Sequence, residues 1–252
     1  MRLLLRFAPS VLALVSYGLV SCMLSGCGSP PEAPEPEPRP PVDRPLRVLL
    51  LGDSISMGYT PFVREALAEE AVVVRPHRNG RPENCEGTTK GVRAVDRWLA
   101  LEPGQWDVIH VNFGLHDLKR VDADTGRNSN DPSDPPQAAT ELYEQQLTEI
   151  LDRLLASGAE VVLATTTPVP GGTLRPHREP EDAVRYNEIA RRVAGRAGVQ
   201  VNDLHAFVLA QEPPILREGD VHFDARGSQL LGERVAAVVL ALALGEAPPG
   251  NR

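Results

Sequence analysis

The sequence predicts a three-layer α/β domain built on a central parallel sheet of about five strands. Three observations carry that reading. Five short apolar runs recur, at Arg47–Leu51, Val72–Val74, Asp107–Asn112, Glu160–Ala164 and Val199–Val201. They lack the polar alternation of a half-exposed sheet, so they read as strands covered on both faces. Segments of helical composition lie between them, and a strand–helix–strand alternation builds a parallel sheet with helices on both sides.

Taken in order, Arg47–Leu51 opens the domain as the first strand. A helix is expected over Pro61–Glu70, with Thr60 as its cap and Pro61 at the first helical position. Val72–Val74 is the second strand. Val92–Leu101 reads as a helix, with Val92, Val95 and Leu99 on one face, and Asp107–Asn112 is the third strand. A polar stretch, Val121–Pro136, follows and is long for a compact domain. It carries Asp122, Asp124, Asp131 and Asp134, but not the central Gly and closing Glu of a calcium loop, so it is expected to be a lid or surface loop. Ala138–Ala156 is an amphipathic helix, with Leu142, Leu147, Ile150, Leu151 and Leu154 at helical spacing. Glu160–Ala164 is the fourth strand, Asp182–Ala197 a helix, Val199–Val201 the fifth strand and Ala225–Leu244 the closing helix. There is no internal repeat, and no GxGxxG follows the first strand, so dinucleotide binding has no support.

The ends of the chain differ from its middle. Arg2 and Arg6 precede an apolar run, Phe7–Val20, that is shorter than the roughly 20 residues of a membrane span. Residues 1–26 read as a secretory signal. Leu24-Ser25-Gly26-Cys27 resembles a bacterial lipobox, which makes Cys27 the expected lipidation site; Leu19-Val20-Ser21-Cys22 fits more loosely. Residues 27–45 are rich in Pro and Glu and form the expected tether. The domain is expected over 46–244, with a frayed tail at 245–252. The expected location is therefore outside the cytoplasm, lipid-anchored in a bacterial cell envelope, at its periplasmic or outer-membrane face. The bilayer is a partner through the N-terminal anchor.

The chain of 252 residues has a net charge of −8; without Arg2 and Arg6 it keeps 24 basic against 34 acidic residues, or −10. Such an acidic domain is not built to coat nucleic acid. Of the three cysteines only Cys85 lies in the domain, so no internal disulfide is expected.

In open α/β sheets ligands bind beyond the C-terminal ends of the strands. Three loops expected on that rim carry reactive side chains: Gly52-Asp53-Ser54 after the first strand, Gly114-Leu115-His116-Asp117 after the third, and Asp220-Val221-His222 before the last helix. Each has a plain structural reading. Ser54 could cap a helix. His116–Asp117 could be a turn, and Asp220 and His222 surface residues ahead of a helix. Their convergence on one rim favours chemistry: a hydroxyl becomes nucleophilic when a base takes its proton and a third group orients that base. His77, His110, His177 and His205 lack such partners and read as structural or exposed.

With these blocks the chain resembles the SGNH (GDSL) hydrolase family from about Arg47 to Leu244. Gly52-Asp53-Ser54 is similar to its first block, Gly87 in Asn84–Thr88 to the loop Gly of its second, Gly114-x-His116-Asp117 to its third and Asp220-Val221-His222 to its last. Tyr186-Asn187 and Val201–Asp203 are also similar to common family features. Two positions depart from the pattern. The family's oxyanion Asn is His116 here, and Asp220 precedes His222 by two residues instead of three, with Glu218 as the other candidate orienter.

The resemblance implies a flavodoxin-like fold and a serine esterase that needs no cofactor and no metal. In it Ser54 is the nucleophile, His222 the base and Asp220 its orienter. The oxyanion is held by the Ser54 and Gly87 N–H groups and a side-chain donor, His116 or else Asn112 or Asn84, with Asp117 beside them. A neutral His116 that donates should lose that role on protonation. The expected substrate is a small ester or an O-acylated polysaccharide of the envelope or surroundings. Three other readings stay open at this point: an O-acyltransferase, a non-catalytic carbohydrate-binding member of the fold, and a metal phosphoesterase on His116, Asp117, Asp220 and His222.

Overall fold

A computed structural model describes residues 44–101, 105–247 and 249–250. The expected signal, Cys22, Cys27 and the tether up to residue 43 lie outside the described residues. Strand β1 (Leu46–Leu51) leads into helix α1 (Ser54–Ala66), then β2 (Ala71–Val74) and a small hairpin, β3 (His77–Arg78) and β4 (Arg81–Pro82). After it come α2 (Thr88–Leu99), β5 (Val108–Asn112), α3 (Thr140–Ala156), β6 (Glu160–Ala164) and α4 (Pro180–Ala197). The chain ends through β7 (Gln200–Asn202), α5 (Leu204–Leu209) and α6 (Ala225–Ala243).

Five parallel strands form one sheet in the order β2-β1-β5-β6-β7. This is the doubly wound order of flavodoxin-like folds, whose direction of winding reverses between the first strand and its inner neighbour. Here that switch point lies between β1 and β5. Helices α1 and α6 pack together on one face, and α2, α3 and α4 pack in sequence on the other. The burial of the two central strands explains their unbroken apolar runs: Val48–Leu51 and all of β5 are buried, as covering on both faces requires.

Most elements lie within a few residues of their expected positions, and β6 matches at both ends. The first helix is the main correction. It starts at Ser54 rather than Pro61, because Asp53 caps it by accepting from the Ile55 N–H at 2.9 Å. Pro61 sits inside the helix, and the Thr60 hydroxyl, instead of capping, donates to the Ser56 carbonyl at 2.6 Å. Two elements were not expected. The β3–β4 hairpin turns on Asn79 and Gly80, both at positive φ, the dipeptide such turns favour. Helix α5 is capped by Asp203.

The polar stretch 121–136 is a folded flap. Bridges join Arg120 to Pro136 and Val121 to Asn128, and the Ser129 carbonyl accepts from the His177 N–H. Asp122 and Asp131 serve local turns, accepting from Thr125 and Ser133. Among the described residues no helix is long and apolar enough to cross a membrane.

Candidate active site

The switch point opens into a cavity of about 250 Å³, lined in part by Ser54, Asn84, His116, Lys119, Asn128, Arg178, Asp220 and His222. Ser54 is delivered by the tight passage from β1 into α1. Since Asp53 fills the capping role, the Ser54 hydroxyl is left for other work. Its Oγ lies 2.9 Å from His222 Nε2. On the other side of the ring, His222 Nδ1 lies 2.9 Å from Asp220 Oδ1. The same carboxylate oxygen accepts from the His222 backbone N–H at 2.9 Å. This double contact is how a two-residue offset brings the carboxylate to the ring. Together these bonds hold the Asp220 carboxyl below the usual carboxylate range, so it stays charged. Asp220, rather than Glu218, is the group on the imidazole.

His116 reaches the cavity from the turn after β5. Gly114 makes that turn at φ 143, with Thr166 packed where a side chain would begin. Lys119 Nζ lies 3.3 Å from His116 Nδ1. An ammonium can only donate, so Nδ1 is the acceptor and the ring proton resides on Nε2. Burial, reinforced by the charges of Lys119 and Arg178, pulls the His116 pKa down to about 3. The ring is therefore neutral above about pH 3, and its expected protonation moves down to that pH.

The other expected site residues divide. Asn84 lines the cavity, with its Oδ1 accepting from the Glu86 N–H and its amide group left as a donor. Asn112 is removed from the oxyanion donors: it spends its amide N–H groups on the Ala164 and Thr165 carbonyls, each at 3.0 Å. Asp117 does not line the cavity either. It is fully buried and accepts through Oδ1 from the N–H and hydroxyl of Thr88, at 2.8 and 2.6 Å. Gly87 caps α2 just above it, and a Cβ there would come within 2.7 Å of Asp117 Oδ1. Gly87 is not among the cavity-lining residues, but its N–H, like that of Ser54, has no hydrogen-bond partner among the described residues.

Three cations matter that the sequence did not single out. Arg75 is 1% exposed and donates to Ser56 Oγ, Thr60 Oγ1 and the Gly52 and Glu83 carbonyls, tying α1 to the loop that carries Ser54. Lys119 and Arg178 are buried against the cavity. Nothing in the local sequence marks them, because Lys and Arg read as surface residues by default. Of the remaining histidines, His110 is fully buried against Asn202, and His77 and His177 bond to the Arg75 carbonyl and Glu179. Cys85 is a buried free thiol. Among the described residues no three His, Cys, Asp or Glu side chains converge as metal ligands, so His116, Asp117, Asp220 and His222 do not form one ligand set.

A serine, an imidazole and a carboxylate in line at the switch point of a flavodoxin-like sheet define a site of the serine-hydrolase type. The chain belongs to the GDSL-like lipase/acylhydrolase family, whose sequence model matches residues 50–230, and it is an ester-hydrolysing enzyme. The match covers the Ser54 and His222 blocks together.

Several solved structures share the fold. A lipase/acylhydrolase from Enterococcus faecalis is 21% identical, with a TM-score of 0.59 over 81% of this chain and 99% of its own. The acetyl xylan esterase AlAXEase is 16% identical, with a TM-score of 0.57 over 75% and 96%. LAE5, an α/β hydrolase enzyme from the metagenome of Lake Arreo, is 18% identical, with a TM-score of 0.54 over 79% and 95%. A comparison with curated proteins returns no match.

Proposed function

We propose that the protein is a serine esterase that removes short O-acyl groups from a polysaccharide outside the cytoplasm, held to the envelope through a lipid on Cys27. The observation that carries the chemistry is the unbroken line from Ser54 Oγ to His222 Nε2 and from His222 Nδ1 to Asp220 Oδ1, each step 2.9 Å.

In this reading His222 takes the Ser54 proton as Oγ attacks the ester carbonyl, and Asp220 steadies the imidazolium that forms. The carbonyl oxygen becomes an oxyanion that meets the Ser54 N–H at the start of α1, the His116 Nε2–H and the Asn84 amide, with the Gly87 N–H as the further donor of that loop. His222 then protonates the leaving alcohol. A water, deprotonated by the same ring, releases the acid and restores Ser54. No step calls on a cofactor. The His222 side chain is 52% exposed, which leaves the acyl-enzyme open to water and supports hydrolysis over transfer to a sugar hydroxyl.

A cavity of about 250 Å³, with Leu115, Leu174 and Val221 as its apolar part, suits a short acyl group better than a long chain. A polysaccharide substrate is supported by the fold shared with an acetyl xylan esterase and by the export expected from the N-terminal segment.

The test is a fluorophosphonate probe together with hydrolysis of 4-nitrophenyl acetate. Wild type should be labelled and active; Ser54→Ala should lose the label and about 10⁴-fold or more of the activity while keeping its fold. A folded wild-type domain that takes no label would instead favour a non-catalytic, ligand-binding role.

A further inference from the structure

The cavity holds more positive charge than the chemistry above uses. Lys119 is 8% exposed and Arg178 is 9% exposed, yet both line the cavity. Arg178 donates through Nε to the Leu115 carbonyl and through Nη1 to the Pro176 carbonyl. Its Nη2 has no hydrogen-bond partner among the described residues. Lys119 gives one hydrogen bond, to His116, and has two further donors. Neither side chain forms an ion pair among the described residues. The carboxylates whose fields reach them are engaged elsewhere. Asp53 caps α1, Asp117 holds Thr88 and Glu86 pairs with Lys90 at 2.9 Å. Arg175 adds a third cation at the rim, and among the described residues the only acid lining the cavity is Asp220, already on His222.

Burying two cations side by side without counter-ions is costly. Burial and mutual repulsion lower the Lys119 pKa, and burial pulls Arg178 down to about 10. An acidic chain of net charge −8 has thus concentrated unpaired positive charge at one place, beside its nucleophile. An anion on the substrate would relieve that cost, accepting from Arg178 Nη2 and Lys119 Nζ at once.

We infer that Lys119 and Arg178 form an anion subsite, and that the preferred ester carries a carboxylate close to the scissile bond. The inference rests on the esterase reading and narrows its substrate class. The carboxylate can come from the alcohol side, as in an O-acetylated uronic acid, or from the acyl side, as in a dicarboxylic half-ester.

Two matched pairs separate these sources: methyl O-acetyl-glucuronoside against its carboxamide, and 4-nitrophenyl hemisuccinate against 4-nitrophenyl butyrate. Wild type should favour the anionic member of one pair by a factor on the order of 10 to 100, mostly through KM and less so at high salt. Arg178→Gln should collapse that preference, and Arg178→Lys should restore part of it. Each ratio is taken within one preparation, so a partly folded variant still reports.

Equal rates within both pairs in wild type would overturn the subsite. So would a loss in Arg178→Gln that is the same for neutral and anionic esters, which would assign the cations to the oxyanion. Calorimetric titration with glucuronate and with glucuronamide needs no turnover. Tight binding of glucuronate that Arg178→Gln abolishes would keep the subsite even if no ester is cleaved, and equal binding of the two would remove it.

Discussion

In the proposed mechanism Lys119 fixes which nitrogen of His116 carries the proton, and so lets a histidine serve where the family usually has an asparagine. An ammonium on Nδ1 leaves Nε2–H as the ring's donor. With its pKa near 3, the ring does not switch during catalysis. His116→Asn should therefore keep most of the activity and leave the pH–rate profile unchanged between about pH 5 and 9. His116→Ala should lose about 10²- to 10³-fold in kcat, the usual loss on removing one oxyanion donor. Lys119→Met frees the tautomer and should place between them in kcat, while burial, the larger cause of the low His116 pKa, still keeps the ring neutral. A Lys119→Met variant with the kcat of wild type would show that the lysine does not hold the tautomer. Asn112 shows the opposite outcome for an amide that looked suited to the oxyanion: it is spent on the carbonyls that end β6.

At the scale of elements, the join between the turn after β5 and the start of α2 is made by one buried carboxylate. Asp117 accepts from Thr88 through Oδ1, while its Oδ2 has no partner. Burial outweighs those bonds and raises its pKa to about 6. Between about pH 4 and 6 the folded chain therefore binds more protons here than the unfolded one, so this group's contribution to stability is fullest below about pH 4 and falls as pH rises to about 6. The total is at most about 3 kcal/mol for a shift of this size. Asp117→Asn keeps the acceptor for Thr88 and removes the titration. Its melting temperature should fall less than that of wild type across that interval, and parallel curves would refute this account. The same region shows what the sequence discloses and what it hides. β1 and β5 were readable because covering on both faces demands unbroken apolar runs. The start of α1 was not, since Pro61 after Thr60 imitates a helix start while Asp53, two turns earlier, makes the real one. That Ser54, His222 and Asp220 come together was legible because the proposed roles need those side chains on the strand-end rim. Arg75, Lys119 and Arg178 were not, because a buried cation has the same local pattern as an exposed one.

At the scale of the whole molecule, the two edges of the sheet have separate tasks. The cavity lies at the C-terminal edge, where β1 and β5 end. The described chain enters at the other edge, where Arg44 pairs with Asp107 at 2.7 Å and the same carboxylate accepts from the Arg47 N–H. The chain before Arg44 therefore joins the domain at the edge opposite Ser54. In the proposed reading, residues before Arg44 are dispensable for chemistry. A chain beginning at Arg44 should hydrolyse a soluble ester with kcat/KM within about twofold of the 252-residue chain, since every cavity-lining residue lies after it. If the proposed anchor on Cys27 holds, Cys27→Ser in the 252-residue chain should move from the membrane fraction to the soluble fraction with its kcat/KM intact. A soluble wild-type chain of 252 residues would remove the lipid anchor. A tether-free chain that fails on soluble esters yet folds would show that residues before Arg44 take part in the site.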